Sequence, residues 1–184
     1  MIIFIPTINN FNEKDMETFQ AIINRRSIRK YKSEKIEEEK IQSLLRAAMY
    51  APSAMNLQPW HFIVINSEDV INETVKSVSH AEMIKQSGAA ILVCGDSSLE
   101  KNDSWLIQNC SAAVQNILLA AFDLGLGSCW IAVHGMDEVV KNLKDQFKLP
   151  SEIIPIALVA IGYPDEEVKA EERFKMEKVH FNKW

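Results

Sequence analysis

Apolar residues along this chain follow two spacings in turn, one every three to four positions and the other in short unbroken runs. Phe19, Ile22 and Ile23 share one face of a helix predicted over 16–24. Ile41, Leu44, Leu45, Ala48 and Met49 mark a second helix, opened by the acidic turn at Glu37, Glu38 and Glu39 and stopped by Pro52. Residues 61–65 read as a strand, 68–80 as an amphipathic helix carrying Val70, Ile71, Val75 and Val78, and 89–94, wholly apolar, as a strand buried on both faces. A long helix over 105–124 ends at Gly125 and Gly127, read as C-terminal caps. Then come a strand at 129–134, a helix at 136–147 and a fourth strand at 154–161, stopped by Gly162 and Pro164. The charged tail finishes with Val179, Phe181 and Trp184 alternating with polar residues, the pattern of an edge strand in this subunit or a neighbour's.

The long helix carries the most architectural information. Only Gln108, Asn109, Ser111, Gln115, Asn116 and Asp123 are polar in it, and Asn109, Asn116 and Asp123 recur at sevens along one narrow stripe. A helix apolar around most of its circumference is covered on several sides, by a large core or a second subunit. A chain of 184 residues offers limited cover, so a homodimer with this helix near the interface is expected. Helices alternating with doubly buried strands predict three αβα layers, and periodicity taken alone favours a parallel, doubly wound sheet. Without repeats or linkers, residues 16–184 form one domain; residues 1–15 are an N-terminal extension, loosely held or the product of an upstream start, because Met16 directly precedes the first helix.

Charge adds a local reversal to this picture. The net charge is −5, yet Arg25, Arg26, Arg29, Lys30, Lys32 and Lys35 face only Glu34 within residues 25–35, a +5 island in a chain that is otherwise −10. Such an acidic remainder argues against nucleic-acid or anionic-membrane partners, which need an extended positive face. The longest apolar run, 154–161, is far short of the ~20 residues of a membrane span. Cys94, Cys110 and Cys129 are widely spaced in apolar surroundings, which predicts small buried thiols and a reduced, cytoplasmic location. The same reasoning expects Trp60 and Trp130 in the core.

Most catalytic constellations are missing. No histidine pair has metal-binding spacing, there is no nucleophile elbow or phosphate loop, and Trp130 occupies the third glycine position of a would-be dinucleotide fingerprint. No metal site or catalytic side chain is expected, so the protein either binds a ligand or takes its chemistry from a cofactor. Two segments have the makings of a site. Arg25, Arg26, Ser27 and Arg29 follow a helix end, and guanidinium forks match phosphate oxygens two by two; read alone, the cluster is a monophosphate site or a solvated basic turn. Pro52, Ser53, Ala54, Asn56, Gln58 and Pro59 form a loop framed by prolines, a site wall or a structural turn.

RRSIRKY, then PSAMNLQPWHF, then SAAVQNILLAAFDLGLGSCW, PIALVAIGYP and ERFKMEKVHFNKW come in the order and spacing of the nitroreductase family of FMN-dependent enzymes, which this chain resembles over nearly all of residues 16–184. The resemblance implies an α+β fold, an αβα sandwich around a mixed, mostly antiparallel sheet, in a homodimer that exchanges its C-terminal tails and holds two FMN sites at the interface. It places Arg25, Arg26, Ser27 and Arg29 at the FMN phosphate and toward the ring, with Arg173 completing the phosphate site. Pro52, Ser53, Ala54, Asn56 and Gln58 would line the isoalloxazine, partly from the other subunit. Backbone N–H groups of Val133, His134 and Gly135 would approach flavin N5, with Gly135 suited to close approach. Ala54 stands where a second serine is frequent, and no polar match precedes the strand at 89–94.

The implied activity is reduction of nitroaromatics, quinones or related electron-poor acceptors by NADH or NADPH, with hydride passing through N5 in ping-pong fashion. A non-catalytic flavin-binding or redox-sensing module would keep the same contacts without turnover.

Overall fold

Two apolar runs buried on both faces form the middle of the sheet: β2, Ala89–Asp96, and β4, Ile153–Gly162. A computed structural model of the chain describes residues 16–184, so the extension read at 1–15 lies outside the described residues. β1, Trp60–Ile65, flanks β2, and β3, Gly127–Ala132, flanks β4, giving the order β1-β2-β4-β3. All three pairings are antiparallel, which corrects the parallel sheet favoured by periodicity and agrees with the mostly antiparallel sheet implied by the resemblance. A strand buried on both faces is apolar whichever way it runs, so periodicity carries no direction. The parallel element among the described residues is an isolated bridge between Ser27 and Ser128.

Alternate strand residues feed two separate cores. Ile91 and Val93 of β2 and Val159 of β4 pack with α2, Glu38–Met49, and α4, Asp103–Asp123, through Leu44, Leu106, Val114 and Ile117. Leu92 and Leu158 face the other way, onto α3, Glu68–Ser77, and α5, Asp137–Phe147, through Ile71, Val75 and Leu143. Each such side chain, removed from water, contributes about 1.5–3 kcal/mol. α1, Met16–Asn24, lies against α4. Cys94, Cys110 and Cys129 are free and buried as expected, and burial pushes the Cys94 and Cys110 thiols up to about 12.

Pro155 sits in a central strand although it lacks a ladder N–H. The register explains it: pairing steps from Val93–Ala157 to Cys94–Pro155, leaving Ile156 as a bulge residue. The freed Ile156 carbonyl accepts from His134 N–H at 3.1 Å and so ties down the turn after β3.

Two local expectations need correction and a third is narrowed. Gly125, at φ 73°, is a left-handed helix cap, but Gly127 already belongs to β3, where an added Cβ would stand 2.9 Å from Ile28 Cβ. Trp60 is core, whereas Trp130 faces outward from edge strand β3 and is 38% exposed. Within one chain the tail forms no strand; it holds only a short turn at Met176–Lys178, with Phe174, Val179, Phe181 and Trp184 exposed.

Candidate functional site

The basic segment is built onto the open edge of β3. α1 ends at Asn24, and the following residues run along the strand through the Ser27–Ser128 bridge and the Ile28 N–H bond to Ser128 O at 3.0 Å. Ile28 is buried against Gly127, and the Tyr31 hydroxyl donates to Ile28 O. With the backbone committed inward, the polar side chains of Arg25, Ser27 and Arg29 gather around Cys129. Burial raises that thiol, while Arg29, a hydrogen bond from Ser27 and Arg25 oppose the shift.

The three arginines of the motif do different work. Arg26 is buried, 9% exposed, and spends its guanidinium on carbonyls: Nη1 donates to Ile23 O at 2.8 Å and Arg25 O at 2.7 Å, and Nε to Lys169 O at 3.2 Å. It braces the negative end of α1 and pins the tail, while its Nη2 is buried without a hydrogen-bond partner and the residue lines the same hollow as Arg25. Arg29 is exposed. Arg25 is half-buried, its Nε has no hydrogen-bond partner, and its pKa is lowered, first by burial and then by the charges of Arg173 and Arg26. Arg173 is thus brought to Arg25 from across the sequence, and among the described residues neither forms a salt bridge to a carboxylate. A half-buried cation that feels the charge of a second, exposed one is stabilised by an anion shared between them.

The loop after α2 is self-contained. Met55, Asn56 and Gln58 all have left-handed backbone, at φ 51°, 57° and 49°, a cost of about 1–3 kcal/mol each that the surrounding bonds must offset. Ser53 Oγ accepts from Gln58 N–H at 3.0 Å, Asn56 N–H donates to Ser53 O at 3.0 Å, and Gln58 Nε2 donates to Asn56 Oδ1 at 2.9 Å. Ala54 N–H donates to Asn109 Oδ1 of α4 at 3.0 Å. Asn109 is a residue the motif reading missed as a site support. Its signal was the polar stripe, since Asn116, seven residues on, likewise donates from Nδ2 to Ala47 O at 2.9 Å. Asn109 Nδ2 is buried without a partner beside a hollow lined by Pro52, Ser53, Ala54, Trp105 and Gln108.

The third group follows β3, which ends at Ala132, two residues short of the predicted boundary. Val133 is core, and Met136 N–H closes a turn onto Val133 O at 3.2 Å. His134 and Gly135 are both exposed, but the His134 N–H is already committed to Ile156 O. The φ of 85° at Gly135 calls for glycine by backbone conformation, and the chain itself leaves open space around an added Cβ. His80, which carries no spacing signal, reaches the same strand end: its Nε2 lies 2.9 Å from Ala132 O and donates, because a carbonyl can only accept.

The structure joins the first group to Arg173 and lays it along β3, which leads to the third. It does not bring the loop to them. The loop's hollow is lined by Trp105 and Asn109 of α4, and the hollow beside Arg25, of about 360 Å³, by Phe122 at the other end of that helix. Thirteen residues of helix separate them, a span of roughly 20 Å at 1.5 Å per residue.

Comparison with known proteins identifies the fold and the family. The model of the nitroreductase family matches residues 22–163. A Methanothermobacter thermautotrophicus protein provisionally named NADH dehydrogenase/NAD(P)H nitroreductase is 40% identical over 169 residues, 92% of this chain and 88% of its own. An FMN-dependent nitroreductase of Clostridium difficile superposes with a TM-score of 0.83 at 36% identity, covering 90% of this chain and 99% of that one. A provisionally named nitroreductase of Desulfovibrio desulfuricans, solved in complex with FMN, gives 0.79 at 28% identity over 91% and 97% of the two chains. The chain belongs to the nitroreductase family.

Proposed function

We propose that this protein is an FMN-dependent oxidoreductase that uses NADH or NADPH to reduce small electron-poor acceptors such as nitroaromatics and quinones. The observation that carries this reading is Arg25, a part-buried cation with an unpartnered Nε, paired with Arg173 and lacking a carboxylate salt bridge. That donor set fits a dianionic monophosphate ester, with the Ser27 hydroxyl and the exposed Arg29 beside it. Bound FMN would supply the two-electron chemistry, accepting hydride from the nicotinamide and passing it to the acceptor in alternate visits to one site.

The chain's own share is to bind and orient. Arg25 and Arg173 hold the phosphate, Arg29 lies toward the ring, and the turn at Val133, His134 and Gly135, steadied by His80, presents its backbone to the ring's reactive edge. No side chain serves as acid or base. Ser53, Ala54, Asn56 and Gln58 stand too far along α4 to reach the same flavin, so a second copy supplies them. Exposed apolar residues on α1 and α4, among them Ile22, Trp105 and Phe122, support a homodimer through that face, with the apolar tail end crossing to the partner.

The purified protein is expected to be yellow, to release FMN on denaturation and to bleach anaerobically with NADH or NADPH, regaining colour when a nitroaromatic or quinone is added. Protein that takes up no FMN refutes this reading; yellow protein that never bleaches is a flavin-binding module.

A further inference from the structure

The segment after β4 crosses back over the basic motif, and a carboxylate holds it there. Lys32 N–H donates to Tyr163 O at 2.9 Å and Asp165 N–H to Lys30 O at 3.0 Å. Glu166 Oε1 accepts from two backbone N–H groups of the motif, Arg29 at 2.5 Å and Lys30 at 3.1 Å. Three residues on, the Lys169 carbonyl is held by Arg26, and four residues beyond that stands Arg173, whose charge acts on Arg25.

A carboxylate is an odd choice at this place. Glu166 lines the same hollow as Arg25, where its charge opposes any anion that Arg25 would hold. Its two backbone bonds account for it: they make it a clamp between the motif and the segment that carries Arg173. We propose that Glu166 is a positioning residue for the cofactor phosphate, fixing the crossing segment so that Arg173 arrives beside Arg25. The inference rests on the FMN reading above and concerns only how the phosphate end is assembled.

Both bonds end on one oxygen, which separates hydrogen bonding from charge. Glu166→Gln keeps the acceptor and removes the charge, whereas Glu166→Ala removes both. The test compares FMN with riboflavin, which lacks the phosphate, by quenching of flavin fluorescence on the full chain. Glu166→Ala should weaken FMN about tenfold, in line with losing charge-assisted hydrogen bonds, while riboflavin stays within about twofold. Glu166→Gln should bind FMN as well as the native chain or more tightly. Adding Arg173→Ala to Glu166→Ala should cost little more than either change alone, because both act on one contact.

Equal losses for FMN and riboflavin, an unchanged FMN affinity, or full additivity with Arg173→Ala each overturn the proposal. If Glu166→Ala fails to fold, Glu166→Asp, one methylene shorter, draws the acceptor away from the two N–H groups and is read by the same FMN-to-riboflavin ratio. A native chain that binds neither flavin refutes the FMN reading itself and this proposal with it. FMN binding that ignores Glu166 refutes this proposal alone.

Discussion

The basic segment at 25–32 and the loop at 52–58 carry the two motifs of the site, yet they are held by opposite means. The basic segment owns almost no local structure; it borrows the edge of β3 through Ile28 N–H and the crossing tail through Glu166 and Lys169. The loop keeps its shape by bonds within itself, Ser53 to Gln58 and Asn56 to Gln58, plus one outside support at Asn109. The difference follows from what each must do. Like charges cannot hold one another in place, so the arginines need neighbours distant in sequence. A wall of small polar groups can be stiff by itself.

The contrast is most strongly broken at Gly127. Gly127→Val puts a branched side chain where even a Cβ would lie 2.9 Å from Ile28, and should cost about 3 kcal/mol in urea unfolding and abolish FMN uptake. Arg25→Ala should leave the fold alone and weaken FMN by about 1.5–3 kcal/mol, ten- to a hundredfold by fluorescence titration. The flavin-free variant should melt no lower than the native chain, because burial and Arg173 already disfavour the Arg25 charge. Asn109→Ala, which strips Ala54 N–H of its acceptor, should cost about 1 kcal/mol in thermal unfolding and weaken FMN and riboflavin alike, since it touches the loop and not the phosphate end.

The smallest effect expected is on pH. The Glu166 carboxyl is held below its ordinary value, chiefly by the Arg29 N–H bond and further by Lys30. Its folded-state value is depressed, so the stability its charge contributes is complete above the ordinary carboxylate range and is lost as pH falls through the lowered value. The melting temperature of the flavin-free chain should therefore decline on acidification below that range, and the decline should be shallower in Glu166→Gln, which does not titrate.

Much of this was legible residue by residue. The RRSIR and PSAMNLQ segments, the doubly buried runs and the three buried thiols all stand where local pattern put them. The work of Arg26 was not legible: a guanidinium in a basic run looks like its neighbours until the carbonyls of Ile23, Arg25 and Lys169 surround it. His80 was likewise silent, and Asn109 showed only as a member of the polar stripe, because each acts on a backbone group more than fifty residues away, Ala132 and Ala54 respectively. Gly127 read as a helix cap because the sequence does not show Ile28 lying over it.

By itself the sequence determined the elements, the three-layer arrangement and the charge island, since these depend on composition and on periods of two and 3.6 that need no partner to be read, and its ordered motifs carried the resemblance to the family. The tertiary structure alone decided strand direction, the division of labour among the arginines, the approach of Arg173 to Arg25 and the separation of the loop from the basic group. Each of these depends on contacts between residues far apart in the chain, where hydrogen-bond geometry and like-charge repulsion act through space and leave no periodic trace.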